Sequence, residues 1–406
     1  MSVVRTSSSL RVRSLTETLA IARRIAPTVG ITRVTDTTSL DRLGVPVVAS
    51  IRPSATRGSL CVSAGKGMTV EEAEVGAYME AIELAWAEPH RTILTSRVVR
   101  ADELGDGEPR PEIWADFIPQ APMTADTPVA AVEMTNLRDG RTWLVPAERV
   151  YFPLLQGEGG DLYGSDGNGL CSGNSLAEAT LHGLCEVIER DVTSTTFSLN
   201  KDTRRIDNTT LPPHLRAIAG RLDRLGFDLN VRWTRNIFDL PYFVAGVIDR
   251  ADPDHAHRGD GLHPDASIAV TRAVCEAFQS RLSDIHGGRD DLTLHRAGDD
   301  KPADKPAGFR RFFLALGSGP AIDFASVPDP SASARDVDSA TRLLVERLAA
   351  QGMPDILTAE LAPPDLGVHI VRVVVPRLEC SVGMPRRMGK RLREAHAAWA
   401  ARNAAT

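Results

Sequence analysis

Aromatic residues are scarce in this chain, at 5% of 406 residues. No basic stretch is interleaved with them, and 47 Lys and Arg against 53 Asp and Glu leave a net charge of −6. Neither a stacking platform nor a polycationic groove for nucleic acid is expected. Cysteine is also sparse. Cys61, Cys171, Cys185, Cys275 and Cys380 are odd in number, widely spaced and without a Cys-x-x-Cys pair. That argues against a disulfide framework and a thiolate zinc site, and fits a reducing cytoplasm. No apolar run approaches membrane-spanning length, and the residues after Met1 lack the apolar core of a secretory signal, so a soluble cytoplasmic protein with no membrane partner is expected.

Several catalytic signatures are missing as well. There is no Gly-x4-Gly-Lys-Ser/Thr, so a nucleotide would not rest on a P-loop. There is no Gly-x-Ser-x-Gly elbow. The glycines from Gly164 to Gly169 lack the dinucleotide-binding spacing. His255 and His257 fall in a segment that reads as a loop, with no matching ligands nearby, and are expected to be solvated.

What is present is the composition of an ordinary globular protein, 42% hydrophobic and 25% charged, with enough apolar residues for a substantial core. Helical periodicity covers Thr16–Ala26, Pro264–Ile285, Ser339–Gln351 and Lys390–Arg402. Strand-like runs begin at Gly30, Val45, Pro128, Arg141, Asp228, Tyr242 and Val368. Residues 296–308 and 327–336 are polar or proline-broken and are expected to be mobile loops. Helices and strands mix without the regular alternation of a doubly wound sheet, so the expected class is α/β or α+β.

One acidic frame occurs twice. Thr69-x-x-Glu72-Ala73 leads to Glu80-x-x-Glu83, and Ser175-x-x-Glu178-Ala179 leads to Glu186-x-x-Glu189 at the same spacing. Each copy follows a glycine-rich turn, Gly65-Lys66-Gly67 or Gly169 to Gly173, and continues as an apolar-periodic helix. The late glutamates therefore share a helical face at i and i+3, where like charges destabilise unless something neutralises them. Two such helices facing each other would gather four carboxylates, for which hard divalent cations are the usual remedy. The plainer reading is that Ser/Thr-x-x-Glu is a capping box and that Glu-x-x-Glu lies on a solvated face. Around Glu80 and Glu83 the helix is apolar from Met79 to Trp86, which favours the metal reading. In the second copy Glu178, His182, Glu186 and Glu189 form one stripe that taken alone could face water.

These residues resemble the YcaO family. The likeness is carried by Asn168 to Ser175, Glu178-Ala179, Gly183 to Asp191, Ser63 to Gly67 with Glu80 to Glu83, and Gly261-Leu-His-Pro. It extends through Arg272 to Arg281, Gly288 to Asp291, and Val375 to Glu379. It implies one domain of YcaO fold over residues 1–406 with a duplicated helix and sheet core. It also implies binding of ATP and magnesium, and phosphorylation of a peptide backbone amide. By the resemblance, magnesium falls to Glu80, Glu83, Glu186 and Glu189. ATP falls to Arg11, Thr18, Ser172, Asn174, Glu178, Arg190, Arg272 and Glu276.

No general base is identified, and a single cysteine such as Cys171 reads more simply as a packed residue. Gly76 and Leu84 depart from the serine and arginine common in the family. The C-terminal residues lack the proline tail of azoline-forming cyclodehydratases. The organisation resembles the type encoded beside a TfuA partner, which implies thioamide formation with a TfuA-like protein and a sulfur donor. An azoline-forming cyclodehydratase and a catalytically silent scaffold are the alternatives, and a homodimer is left open.

Overall fold

The computed structural model describes residues 3–157, 159–199, 203–289, 307–381 and 387–404. The strands in chain order are β1 (Val4–Arg5), β2 (Leu10–Arg11), β3 (Arg33–Asp36), β4 (Val47–Ile51), β5 (Val62–Lys66), β6 (Ser96–Arg100), β7 (Pro128–Asn136) and β8 (Thr142–Pro146). They continue as β9 (Leu170–Gly173), β10 (Thr203–Ile206), β11 (Phe227–Thr234), β12 (Tyr242–Asp249), β13 (Ala256–Leu262), β14 (Ala321–Ile322), β15 (Leu357–Glu360) and β16 (His369–Val374). The helices are α1 (Leu15–Ile25), α2 (Val70–Ala87), α3 (Leu176–Leu199), α4 (Pro213–Arg224), α5 (Ala266–His286), α6 (Ala307–Leu316), α7 (Val337–Ala350) and α8 (Lys390–Ala404). The mixed α/β class read from the sequence is the one observed.

The chain forms two compact units. One comprises Met1–Ala55, Leu60–Ile82 and Asp202–Asp336; the other comprises Thr56–Ser59, Glu83–Lys201 and Val337–Thr406. The division falls within α2, between Ile82 and Glu83.

The first unit holds the β1–β2 hairpin, the antiparallel sheet β3-β4-β5, and a five-stranded sheet of order β13-β12-β11-β10-β14. Its core joins Val231, Phe243 and Val247 of the larger sheet to Leu215, Ile218 and Leu222 of α4 and to Val270, Val274 and Phe278 of α5. The α4 residues recur at helical spacing, which gives that helix its one apolar face. Residues 327–336 include a 3₁₀ turn at Pro330–Ser333. Val327 lies in the core, and Asp329 Oδ1 accepts from Ala266 N at 3.2 Å. Of the other expected loop, residues 296–306 lie outside the described residues, while Ala307 and Gly308 open α6.

The second unit holds a six-stranded sheet of order β6-β7-β15-β16-β9, with β8 on β7. Helix α3 packs on β9 and β16, and α7 and α8 pack on α3. Leu184, Ile188 and Val192 of α3 are buried with Ile370, Val371 and Val373 of β16 and with Leu344 and Leu348 of α7.

One local arrangement recurs. β5 runs into α2, β9 into α3 and β13 into α5, each strand bringing glycine against the helix that follows it. A Cβ on Gly65 would collide with the backbone of Ala73 and Ala77, and one on Gly173 with the backbone of Ala179. These glycines are therefore required by contact rather than by their own dihedral angles. We expect Gly65→Ala to lower stability by about 1–3 kcal/mol through overpacking against backbone that cannot move aside. Gly167→Ala, where an added Cβ meets nothing within 4 Å, should leave the urea midpoint almost unchanged. Equal midpoints for the two variants would refute the contact argument.

Candidate functional site

Both acidic helices begin with the same cap. Thr69 Oγ1 accepts from Glu72 N at 3.1 Å, and the Glu72 carboxylate turns back to accept from Met68 N at 2.8 Å. Ser175 Oγ accepts from Glu178 N at 3.1 Å, and Glu178 accepts from Asn174 N at 3.2 Å. The hydroxyl and the glutamate thus serve as the sequence spacing predicts, except that each glutamate reaches one residue before the hydroxyl residue rather than its own N–H. The cap sets the start of each helix, and the start fixes which face the later glutamates occupy.

In the first unit, Glu80 is half-buried on α2 and accepts from Ala64 N at 3.2 Å. Glu276 of α5 receives Lys66 Nζ at 2.7 Å, with both side chains 24% exposed. Lys66, expected in a glycine-rich turn, is the last residue of strand β5, and the sequence offers no spacing rule linking it to a helix 210 positions away. Gln279, one turn beyond Glu276, donates to Ala64 O. Thr18 is buried in α1, with Oγ1 donating to Ser14 O at 2.9 Å. Arg272, one turn before Glu276, and Arg11, at the end of β2, are both half-buried. Each lies close enough to His263 to repel a proton from its ring.

In the second unit, consecutive residues of β9 serve two glutamates. Ser172 Oγ donates to Glu83. Cys171 Sγ lies 3.5 Å from Glu186 Oε2, and Gly169 N donates to Glu186 Oε1 at 3.2 Å. Glu189 is buried, and Glu186 and Arg190 are half-buried. Asn174 and Glu178 are joined by Nδ2 to Oε1 at 3.1 Å and are both buried. The stripe of Glu178, His182, Glu186 and Glu189 therefore does not face water. Its flanks are taken by β9 and β16, which only tertiary packing could show. Glu80 and Glu186 each accept from a backbone N–H and Glu83 accepts from a hydroxyl, and carboxylate oxygens are hard donors of the kind that suit a divalent cation. Among the described residues, no group of three or more His, Cys, Asp or Glu is drawn together as a ready-made metal cage.

An arginine-rich network missed from the sequence lies in the same unit. Arg149 Nη1 reaches Asp166 Oδ2 at 3.1 Å, and Arg387 bonds the same oxygen. Arg372, fully buried on β16, donates to Val150 O, Asn168 O and Asp166 O at 2.7 to 2.9 Å. Burial alone would raise the Asp166 carboxyl, but Arg149, Arg387 and Arg372 together hold it well below the usual carboxylate range. Burial in turn lowers Arg372 to about 10, against the pull of Asp166. The segment anchored this way, residues 166–168, leads directly into β9, so the network positions the strand that carries Cys171 and Ser172.

The histidine pair also differs from expectation. His257 lies in β13, buried, with Nε2 3.2 Å from Asp284 Oδ2. His255 is exposed beside Asp252. The strand was hidden because its central residues, His-Arg-Gly-Asp-Gly, read as a loop. Among the described residues, no helix is long and apolar enough to cross a membrane.

Comparison with known proteins finds relatives that cover nearly the whole chain. The model of the family described as YcaO cyclodehydratase, ATP- and Mg2+-binding, matches residues 64–379. A protein from Methanothermobacter thermautotrophicus is 32% identical over 377 residues, covering 90% of this chain and 94% of that one. An uncharacterised protein from the tfuA 3′ region of Rhizobium leguminosarum bv. trifolii is 31% identical over 382 residues, covering 90% and 88%. Among solved structures, YcaO from Methanopyrus kandleri bound with AMPPCP and Mg2+ is similar at a TM-score of 0.72 and 25% identity, covering 96% of this chain and 98% of that one. A heterocyclase in complex with substrate and cofactor shares the fold at a TM-score of 0.72 and 19% identity, covering 95% and 57%. On the family match and these relatives, the chain belongs to the YcaO family, whose members bind ATP and magnesium.

Proposed function

We propose that this protein uses ATP and magnesium to activate a peptide backbone amide, and that the product is a thioamide. The observation that carries the activation step is the doubled cap-and-carboxylate helix in a chain of this family. Glutamates repeated at the same places on two glycine-packed helices have a use beside a bound metal–nucleotide and none in a passive scaffold. The match across residues 64–379 runs through both compact units, which supports reading them as one functional domain.

In this reading, magnesium is held by Glu80, Glu83, Glu186 and Glu189, and when bound it offsets the charge of the triphosphate oxygens. ATP acts as co-substrate: the amide oxygen takes the γ-phosphoryl group with release of ADP, sulfide adds to the amide carbon, and phosphate leaves with the former amide oxygen. Arg190 and Arg272 bring planar guanidinium forks suited to phosphate oxygens, and Arg11 adds a further charge. Asn174 and Ser172 present an amide and a hydroxyl at the start of α3 and the end of β9, while Glu178, Thr18 and Glu276 complete the nucleotide contacts carried by the family resemblance. The relative from a tfuA 3′ region supports a TfuA-like partner, and the thioamide reading requires a sulfur donor. Azoline formation, in which a neighbouring side chain replaces sulfide as the nucleophile, is the second reading, favoured by the cyclodehydratase description of the family.

Three results test this. Glu83→Gln and Glu186→Gln should keep wild-type thermal stability but weaken magnesium-dependent ATP binding by about tenfold or more, about 1.4 kcal/mol. Calorimetry giving wild-type affinity in both would remove these residues from the metal site. For Glu178→Gln we expect turnover to collapse while the melting temperature barely moves, because glutamine keeps an oxygen for Asn174 N but loses the charge. Retained activity would leave Glu178 as a cap only. Mass spectrometry of a peptide treated with the enzyme, ATP, sulfide and the partner should show one oxygen exchanged for sulfur at a backbone amide. Loss of one water at a cysteine, serine or threonine would instead establish azoline chemistry.

A further inference from the structure

Glu83 and Glu186 stand on different helices of the second unit's site, yet one strand reaches both. Gly169 N donates to Glu186 at 3.2 Å and Cys171 Sγ lies 3.5 Å from it, while Ser172 Oγ donates to Glu83. Where β9 lies along its own axis therefore sets how both carboxylates are held. Among the described residues β9 pairs with β16 alone, over four residues from Leu170 opposite Arg372 to Gly173 opposite His369. A short strand at the edge of a sheet is weakly fixed by its ladder. A slip of one residue would withdraw Gly169 from Glu186 and Ser172 from Glu83 together.

Arg372 supplies the anchor that the ladder lacks. Its side chain is fully buried and donates to Asp166 O at 2.9 Å and Asn168 O at 2.7 Å, just ahead of the strand, and to Val150 O at 2.9 Å. The next residue, Val373, donates its N–H to Gly169 O at 2.8 Å. Gly169 has a φ of +77°, and a Cβ there would collide with Val373 O. Its carbonyl is thus tied to β16 while its N–H is turned toward Glu186. Asp166 closes the segment from the other side. Its Oδ1 accepts from Asn168 N at 3.0 Å, and its Oδ2 takes Arg149 and Arg387.

We propose that Arg372 and Asp166 are positioning residues for metal binding. By locking residues 166–169 they hold Gly169 N–H against Glu186, and they fix the register at which Ser172 meets Glu83. The inference rests on the reading of Glu83 and Glu186 as magnesium ligands and deepens it. Groups that orient a metal's ligands without touching the metal are worth about 10–100-fold in its affinity.

The test is the magnesium concentration that half-saturates AMPPCP binding, measured by calorimetry on the full-length protein. Arg372→Met should raise it by about tenfold or more, and Arg372→Lys, which keeps a buried donor, should recover part of that loss. Asp166→Asn keeps an oxygen for Asn168 N but loses the charge facing Arg149 and Arg387. It should raise the requirement in the same direction, and it carries the test where Arg372→Met does not fold. Val145→Ala, at a fully buried position of β8 in the same unit, should lower the melting temperature and leave the magnesium requirement as in the wild type. A wild-type requirement in the folded Arg372 and Asp166 variants, or an equal rise in Val145→Ala, overturns the proposal while a weakened Glu186→Gln keeps the metal assignment. If Glu186→Gln itself shows the wild-type requirement, the metal assignment falls and takes the proposal with it.

Discussion

The rest of the structure depends on a backbone contact between the end of a strand and the helix that follows it. Gly65 against Ala73 and Ala77, and Gly173 against Ala179, bring main chain to main chain where any side chain on the strand would intervene. Gly259 and Gly261 do the same against Ala269, Ala273 and Ala277 of α5. Because strand and helix touch this closely, groups on the strand lie within hydrogen-bond reach of glutamates two and three turns along the helix. Ala64 N meets Glu80, and Cys171 meets Glu186. The caps at Thr69 and Ser175 complete the constraint by fixing the first turn, and with it the rotation of each helix about its own axis.

Charge inside the two units is handled in different ways. In the second unit, Asp166 shares one oxygen between Arg149 and Arg387, while Arg372 spends its donors on three carbonyls. Removing any one partner from such a buried set exposes the others to an uncompensated desolvation cost. The network therefore fixes the segment before β9 more by what its disruption would cost than by net attraction. In the first unit, the positive groups around His263 have Asp265 beside them, and that carboxylate also caps α5.

In each unit some of these residues lie at helix starts and strand ends, where backbone N–H groups are available, while the late glutamates lie further along the same helices. Arg272 and Glu276 sit one turn apart near the start of α5, and Asn174 and Glu178 bracket the start of α3. These residues thus sit on regular elements or directly beside them. That is consistent with the buried state of Ser172, Asn174, Glu178 and Glu189.

Much was legible in the sequence wherever the physics is local. Periodicity placed α1, α2, α5, α7 and α8 to within a few residues, and the hydroxyl-to-glutamate spacing announced the caps at Thr69 and Ser175. The duplicated acidic frame was visible because helical spacing alone puts Glu80 with Glu83, and Glu186 with Glu189, on one face. Strand β13 was not legible. Its glycines and polar residues are dictated by the approach of α5, so they carry no alternating apolar pattern. Lys66 with Glu276, Arg149 and Arg387 with Asp166, and His263 among its arginines are pairings across long sequence separations. No local rule encodes them, and only the packing of strands on helices decides which charges meet. The sequence by itself determined the class, the helices and the chemical types available; the tertiary structure decided which of those groups are buried, and beside whom, because burial and charge pairing are properties of neighbours in space.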